Sequence, residues 1–163
     1  MANTQSMTTS FMGDLLVGAQ QLGSVTLTSR GSLTTPTVDT LKAALYLASA
    51  TVNASTTVYS SSGEVTGTGY VAGGVTVTNA SGPTATNSSI TAGVAYWTPS
   101  ASITYTAVTL TTAFDAVLLY NSTQGNKSIS VHTFGSQTVT AGTFTLTMPS
   151  NTTSTALIRL ATT

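Results

Sequence analysis

Cysteine is absent from this chain, so no disulfide frames the fold and no thiolate can hold a metal. Charge is almost absent: 163 residues carry four basic and four acidic side chains, 5% of the total. An ordinary soluble domain has about 25%. The four bases, Arg30, Lys42, Lys127 and Arg159, form no stripe. That excludes nucleic-acid binding through phosphate neutralisation. No apolar run approaches the roughly 20 residues of a membrane-crossing helix; stretches such as Val117–Tyr120 are far shorter. The first residues, Met1 to Ser6, have neither a basic nor an apolar region and read as no secretory signal. With a single histidine, zinc has no histidine pair to bind.

In place of charge there is hydroxyl: more than a third of the chain is Ser or Thr. Net charge is zero, and mean hydropathy is positive. Such a surface does little to oppose association. It suits a subunit packed against copies of itself or of a partner. Disorder is the competing reading of a Ser- and Thr-rich chain, but 40% of residues are hydrophobic and they fall in regular alternation.

Residues 8–22 form the one helix candidate, of about 13–15 residues. Phe11, Leu15, Gly18, Ala19 and Leu22 make an apolar face. Ser10 or Thr9 is the expected cap and Gly23 the expected terminator. From Val25 the apolar period becomes two. Thr40–Ala48 alternates as a strand, and Thr68–Thr78 reads as two short strands around Gly73-Gly74. Asn79–Ser89, with Gly82-Pro83, reads as a loop. Ser102–Thr111 slips phase near Ala107, as at a bulge. Phe114–Tyr120 reads as a central strand buried on both faces. Asn121–Asn126 is a turn, and Ser128–Phe134, Thr138–Met148 and Thr155–Ala161 are further strands. These signals predict an all-β protein, a β-sandwich of jelly-roll or immunoglobulin-like topology. An N-terminal helical arm at 1–24 would precede the sandwich at 25–163.

Little in the chain speaks for catalysis. His132 is the only neutral-range base, and a triad with Asp115 and one of many serines lacks a Gly-x-Ser-x-Gly elbow. Asp14, Asp39, Glu64 and Asp115 are scattered, without the pairing a glycosidase needs or the clustering calcium needs. Gly67-x-Gly69 with Gly73-Gly74 lacks the lysine and following helix of a phosphate loop. Six of seven asparagines, at 53, 79, 87, 121, 126 and 151, begin Asn-x-Ser/Thr triplets and read as turn residues. No catalytic, metal-binding or cofactor-binding residue is expected, and no cofactor. The assembly candidates are Phe11, Leu15, Leu16 and Leu22. Tyr96 and Trp97 are the candidates for an exposed aromatic contact, with core packing as the competing role.

Several segments together resemble a group of small virion-associated proteins of tailed bacteriophages. They are Asp39–Thr51, Glu64–Gly74, Leu119–Thr123, Ala141–Leu146 and Ala156–Ala161, together with Ser10-Phe11 and Leu15-Leu16. The resemblance spans nearly the whole chain. It implies a structural component of the phage particle, assembled in the host cytoplasm, and no enzyme. The first expectation is a capsid decoration or cement protein that bridges major capsid protein subunits and contacts copies of itself, for instance as a trimer. The alternative is a tail, baseplate or fibre component that binds host-surface glycan through aromatics such as Trp97. Neither reading calls for nucleic acid or membrane.

Overall fold

The computed structural model describes residues 2–22, 39–79, 84–86 and 93–161. The expected change of period at Val25, the 24/25 boundary, Gly23, Gly82-Pro83, Arg30 and Asn87 lie outside them.

The fold is all-β with one short helix near the N-terminus. In chain order the elements are β1 (Ser6–Met7), α1 (Thr9–Leu16), β2 (Leu41–Leu47), β3 (Val75–Thr76), β4 (Thr84–Thr86), β5 (Val94–Trp97), β6 (Ile103–Asn121), β7 (Lys127–Leu146) and β8 (Ile158–Ala161). Two antiparallel sheets result, ordered β1-β7-β6-β2-β3 and β4-β5-β8. Trp97 and Ile158 of the smaller sheet share one core with Leu41, Leu45, Val117 and Leu119 of the larger.

Alternation on β2 explains the layers. Leu41, Ala43 and Leu45 face the shared core, while Ala44 and Tyr46 face a second cluster with Ala116, Leu118, Tyr120 and Val131. Val117–Tyr120 pairs with β2 on one side and β7 on the other, so it is buried on both faces as its apolar run predicts. The four strands expected between 102 and 148 are instead two long ones, β6 and β7. Thr112-Ala113, between the expected strands Ser102–Thr111 and Phe114–Tyr120, reads as a break, yet the pairing continues through bulges, with Ala107 and Ala141 at positive φ.

The glycines after Glu64 do not make a hairpin. Thr68 bridges to Thr109 on β6, whereas β3 pairs with β2. A Cβ on Gly69 would lie 2.2 Å from the Ala107 carbonyl oxygen, and one on Gly74 would lie 1.6 Å from that of Ala43. Close approach of backbone, with positive φ at both, is what requires glycine here. Thr84–Thr86, expected in a loop, pairs with β5.

The helix is eight residues long, shorter than expected, and Gly18 stops it. Gly18 adopts φ 67°, Ala19 N–H bonds to the Asp14 carbonyl at 2.7 Å, and Gly18 N–H bonds to that of Leu15 at 3.2 Å. This is a Schellman motif, which satisfies the last carbonyls. Thr8, not Ser10 or Thr9, occupies the N-cap, and its hydroxyl donates to the Ile129 carbonyl instead of capping.

The N-terminal segment docks on its own sheet. β1 pairs with β7, Phe11 is fully buried, and Asn3 Nδ2 donates to the Leu47 carbonyl while its Oδ1 accepts from Val52 N–H. An amphipathic helix this short is unstable alone, so it must bury its face, and the nearest apolar surface belongs to the same chain.

Candidate functional site

Each carboxylate is met by donors from elsewhere in the fold. Asp14 forms the one ion pair among the described residues, at 2.7 Å from Lys127 Nζ, and also accepts from Gln20 Nε2 at 2.9 Å. Burial acts to raise its pKa, but the Lys127 and Gln20 hydrogen bonds and the Lys127 charge hold it below the usual carboxylate value. Asp39 is buried. It accepts from Asn121 Nδ2 at 2.7 Å, Gln124 Nε2 at 2.8 Å and Gln21 N–H at 3.2 Å. Asp115 accepts from Asn3 Nδ2 at 2.6 Å.

Glu64 is buried without a basic partner among the described residues. Tyr59 and Tyr70 donate their hydroxyls to it at 2.6 and 2.7 Å, and Gly73 N–H donates at 2.8 Å. Tyr120 stacks on Tyr59 with ring centroids 4.7 Å apart and donates to the Gly73 carbonyl, while Tyr105 stacks on Tyr70. Tyr46 meets Glu64 across a β-bridge. Burial raises the pKa of all five phenols, Tyr46 to about 12. Hydrogen bonding to Glu64 adds to the rise at Tyr59 and Tyr70.

His132 is half-buried, with its Nε2 2.9 Å from Ser130 Oγ. Burial alone pushes its pKa down to about 4. Of the triad imagined from sequence, His132 meets a serine, itself buried, while Asp115 accepts from Asn3 and makes no hydrogen bond to His132 among the described residues. No group of three or more metal-ligating side chains occurs among the described residues. No described helix is long and apolar enough to cross a membrane. Asparagines 53 and 121 act as turn residues. Asn53 Oδ1 accepts from Ser55 N–H, and Asn121 Oδ1 accepts from Thr123 and Gln124 N–H.

The assembly and aromatic candidates converge, and not as separate surfaces. A cavity of about 310 Å³ lies between the end of the helical segment and the smaller sheet. Leu15, Leu22, Tyr96 and Trp97 are all in its wall, with Ile158 and Leu160. Trp97 is 1% exposed, so it is no surface platform; it fills the core below the sheet, and Tyr96 is half-buried. Phe11 and Leu22 are buried in the chain's own core. Leu16 is 90% exposed, and Val17 next to it and Leu160 of the wall are exposed as well.

Two polar atoms belonging to wall residues are buried without a partner: Gln20 Oε1 and Trp97 Nε1. The Gln20 orientation is forced. Its Nε2 donates to the Asp14 carboxylate and, at 3.2 Å, to the Ser128 carbonyl, so the oxygen must point elsewhere. Sequence reasoning missed Gln20 and the Glu64 cluster. The signal for the latter was tyrosine on either side of the chain's only glutamate.

Comparison with protein-family models, curated proteins and solved structures finds no match. The functional reading therefore rests on the geometry and the sequence.

Proposed function

We propose that this chain is a structural protein of a tailed-phage particle, a capsid decoration or cement protein that bridges major capsid protein subunits. The observation that carries the reading is the exposed apolar set Leu16, Val17 and Leu160 beside an apolar cavity. It sits on a chain with only eight charged side chains, whose four acids all serve internal donors. Acids so engaged are poorly placed for acid–base chemistry, and apolar side chains left in water gain free energy when a neighbour covers them. Repeated by capsid symmetry, modest contacts per copy add up to a stabilised shell. The glycan-binding alternative for a tail or fibre component is weakened by the burial of Trp97, the aromatic it relied on.

The test is a map of the purified particle together with incorporation of Leu16→Asp. The chain is expected on the head surface, with the variant folded but lost from particles. Absence from particles, or a position confined to the tail, would overturn the reading.

A further inference from the structure

We infer that the cavity receives an uncharged, strand-forming segment of a neighbouring polypeptide, added alongside β8 with an apolar side chain inserted. Four observations converge. First, the wall is mainly apolar, with Leu15, Leu22, Trp97, Ile158 and Leu160, and holds no charged side chain among the described residues, so a charged insert would lose its hydration without compensation. Second, the wall residues Gln20 and Trp97 hold one unpaired acceptor and one unpaired donor. Leaving such groups buried and unpaired is costly, and native structures rarely do so without a reason. Neither atom is open to solvent, so the wall must shift before they can be paired, and an occupant that reorders the wall is the event that allows it.

Third, β8 lies at the end of the β4-β5-β8 sheet and, among the described residues, pairs with no strand on its outer side. An open edge binds extended peptide through main-chain hydrogen bonds, while alternate side chains set specificity. Fourth, Leu160 of β8 is in the cavity wall and 42% exposed, so the edge and the cavity are one surface. Water is a poor occupant, because apolar walls offer it few of the two to four polar partners it needs. The volume, about 310 Å³, is at the small end of ligand sites and suits one or two side chains.

That the neighbour belongs to a phage particle rests on the proposed function; the cavity and its occupant's chemistry do not. The probe is the capped neutral peptide acetyl-Thr-Val-Thr-Leu-Thr-Val-Thr-amide, titrated into the isotope-labelled full chain. Trp97 is the only tryptophan, so a single indole N–H resonance reports on the cavity. Saturable binding is expected. The indole proton and the amides of 158–161 should shift, and those amides should gain protection. Leu160→Asp should weaken binding at least about tenfold. Val71→Asp, at an exposed site outside the cavity wall, should leave it unchanged.

No saturable shift, or β8 shifts without an indole response, would overturn the proposal. So would benzyl alcohol reproducing the indole shift and displacing the peptide while leaving the β8 amides unmoved, which assigns a small-molecule site. Self-association abolished by Leu160→Asp, with no peptide binding, would assign the face to a second copy and also overturn it. Peptide binding by a protein absent from particles would sink the proposed function and leave this inference standing. Incorporation into particles without peptide binding would do the reverse.

Discussion

Removing the Glu64 carboxylate should be among the most damaging single changes to this fold. Glu64→Ala leaves Tyr59 and Tyr70 hydroxyls and Gly73 N–H without an acceptor. Gly73 is buried, and Tyr59 and Tyr70 are half-buried, so some of this loss is made good by water at the phenols. A buried donor left unpaired costs about 1–3 kcal/mol. With the N–H and one phenol uncompensated, the expected loss is about 3–5 kcal/mol, a large part of the 5–15 kcal/mol typical of a domain. Each kcal/mol lowers Tm by about 2–4 °C at this chain length, so a fall of about 10 °C is expected. Glu64→Gln keeps one oxygen but sets an NH₂ against a donor, and should cost about half as much. Tyr70→Phe should cost more than Tyr59→Phe, because the Tyr70 hydroxyl also accepts from Leu45 N–H at 3.0 Å. Urea unfolding followed by far-ultraviolet circular dichroism measures all four. A Glu64→Ala protein within about 1 kcal/mol of the parent, with an unchanged denaturant slope, would refute the view that this carboxylate organises the 58–74 segment.

Three further outcomes are expected. Above pH 10 the unfolded chain releases phenol protons that the folded chain retains, because burial raises the pKa of Tyr46, Tyr59, Tyr70, Tyr105 and Tyr120. Stability present below pH 10 is thus lost as pH rises. Phenolate absorbance and loss of β signal should coincide in one alkaline transition, and early titration of five phenols in folded protein would contradict this. At the acid end His132 has a folded pKa near 4 against 6.5 unfolded, so its contribution, about 3 kcal/mol, is present above pH 6.5 and lost as pH falls toward 4. His132→Gln should flatten that limb in chemical unfolding measured at pH 4.5 and 7, and an unaltered slope would count against it. Deleting residues 1–16 removes Phe11, worth about 1.5–3 kcal/mol by transfer alone, and the β1 pairing; a truncated chain with an unchanged melting curve would show that the segment is an independent arm.

What the sequence disclosed and what it withheld divide along physical lines. Period-two alternation made β2 legible, and an unbroken apolar run marked Val117–Tyr120 as central, because burial on one face or two writes directly into hydropathy. Bulges do not write into it. Thr112-Ala113 therefore reads as a gap between two strands, although β6 runs through it from Ile103 to Asn121. The helix was visible from its apolar face, but its stop was not. Gly18 was taken into that face, whereas its backbone conformation ends the helix. The cavity was half legible: Leu15, Leu22, Tyr96 and Trp97 could each be singled out by type. Their meeting depends on β5 pairing with β8, about 60 residues further along, which no local pattern encodes.

The scarcity of charge acquires a structural reason once the acids are followed to their partners. Asp14 ties the helix to Lys127 across 113 residues, Asn3 reaches Asp115 across 112, and Asp39 holds Asn121 across 82. Three of the four acids thus fasten early segments of the chain to the β6–β7 hairpin or its turn, and the fourth gathers tyrosines. The carboxylates work on the inside, where each accepts from at least one donor and three of the four fix a long-range contact that alternation alone leaves loose. Among the described residues the outside carries hydroxyl groups, a few leucines and valines, and Arg159. β7 illustrates the consequence: from Ser128 to Leu146 it carries no formally charged side chain and no proline, the two devices that most often keep a strand edge from joining another chain. A freely diffusing protein gains from those devices. One whose working state is packed among neighbours gains from their absence, because each charge at a contact would have to be desolvated or paired before the contact could form. Composition and burial therefore favour the same reading, a surface arranged to be covered.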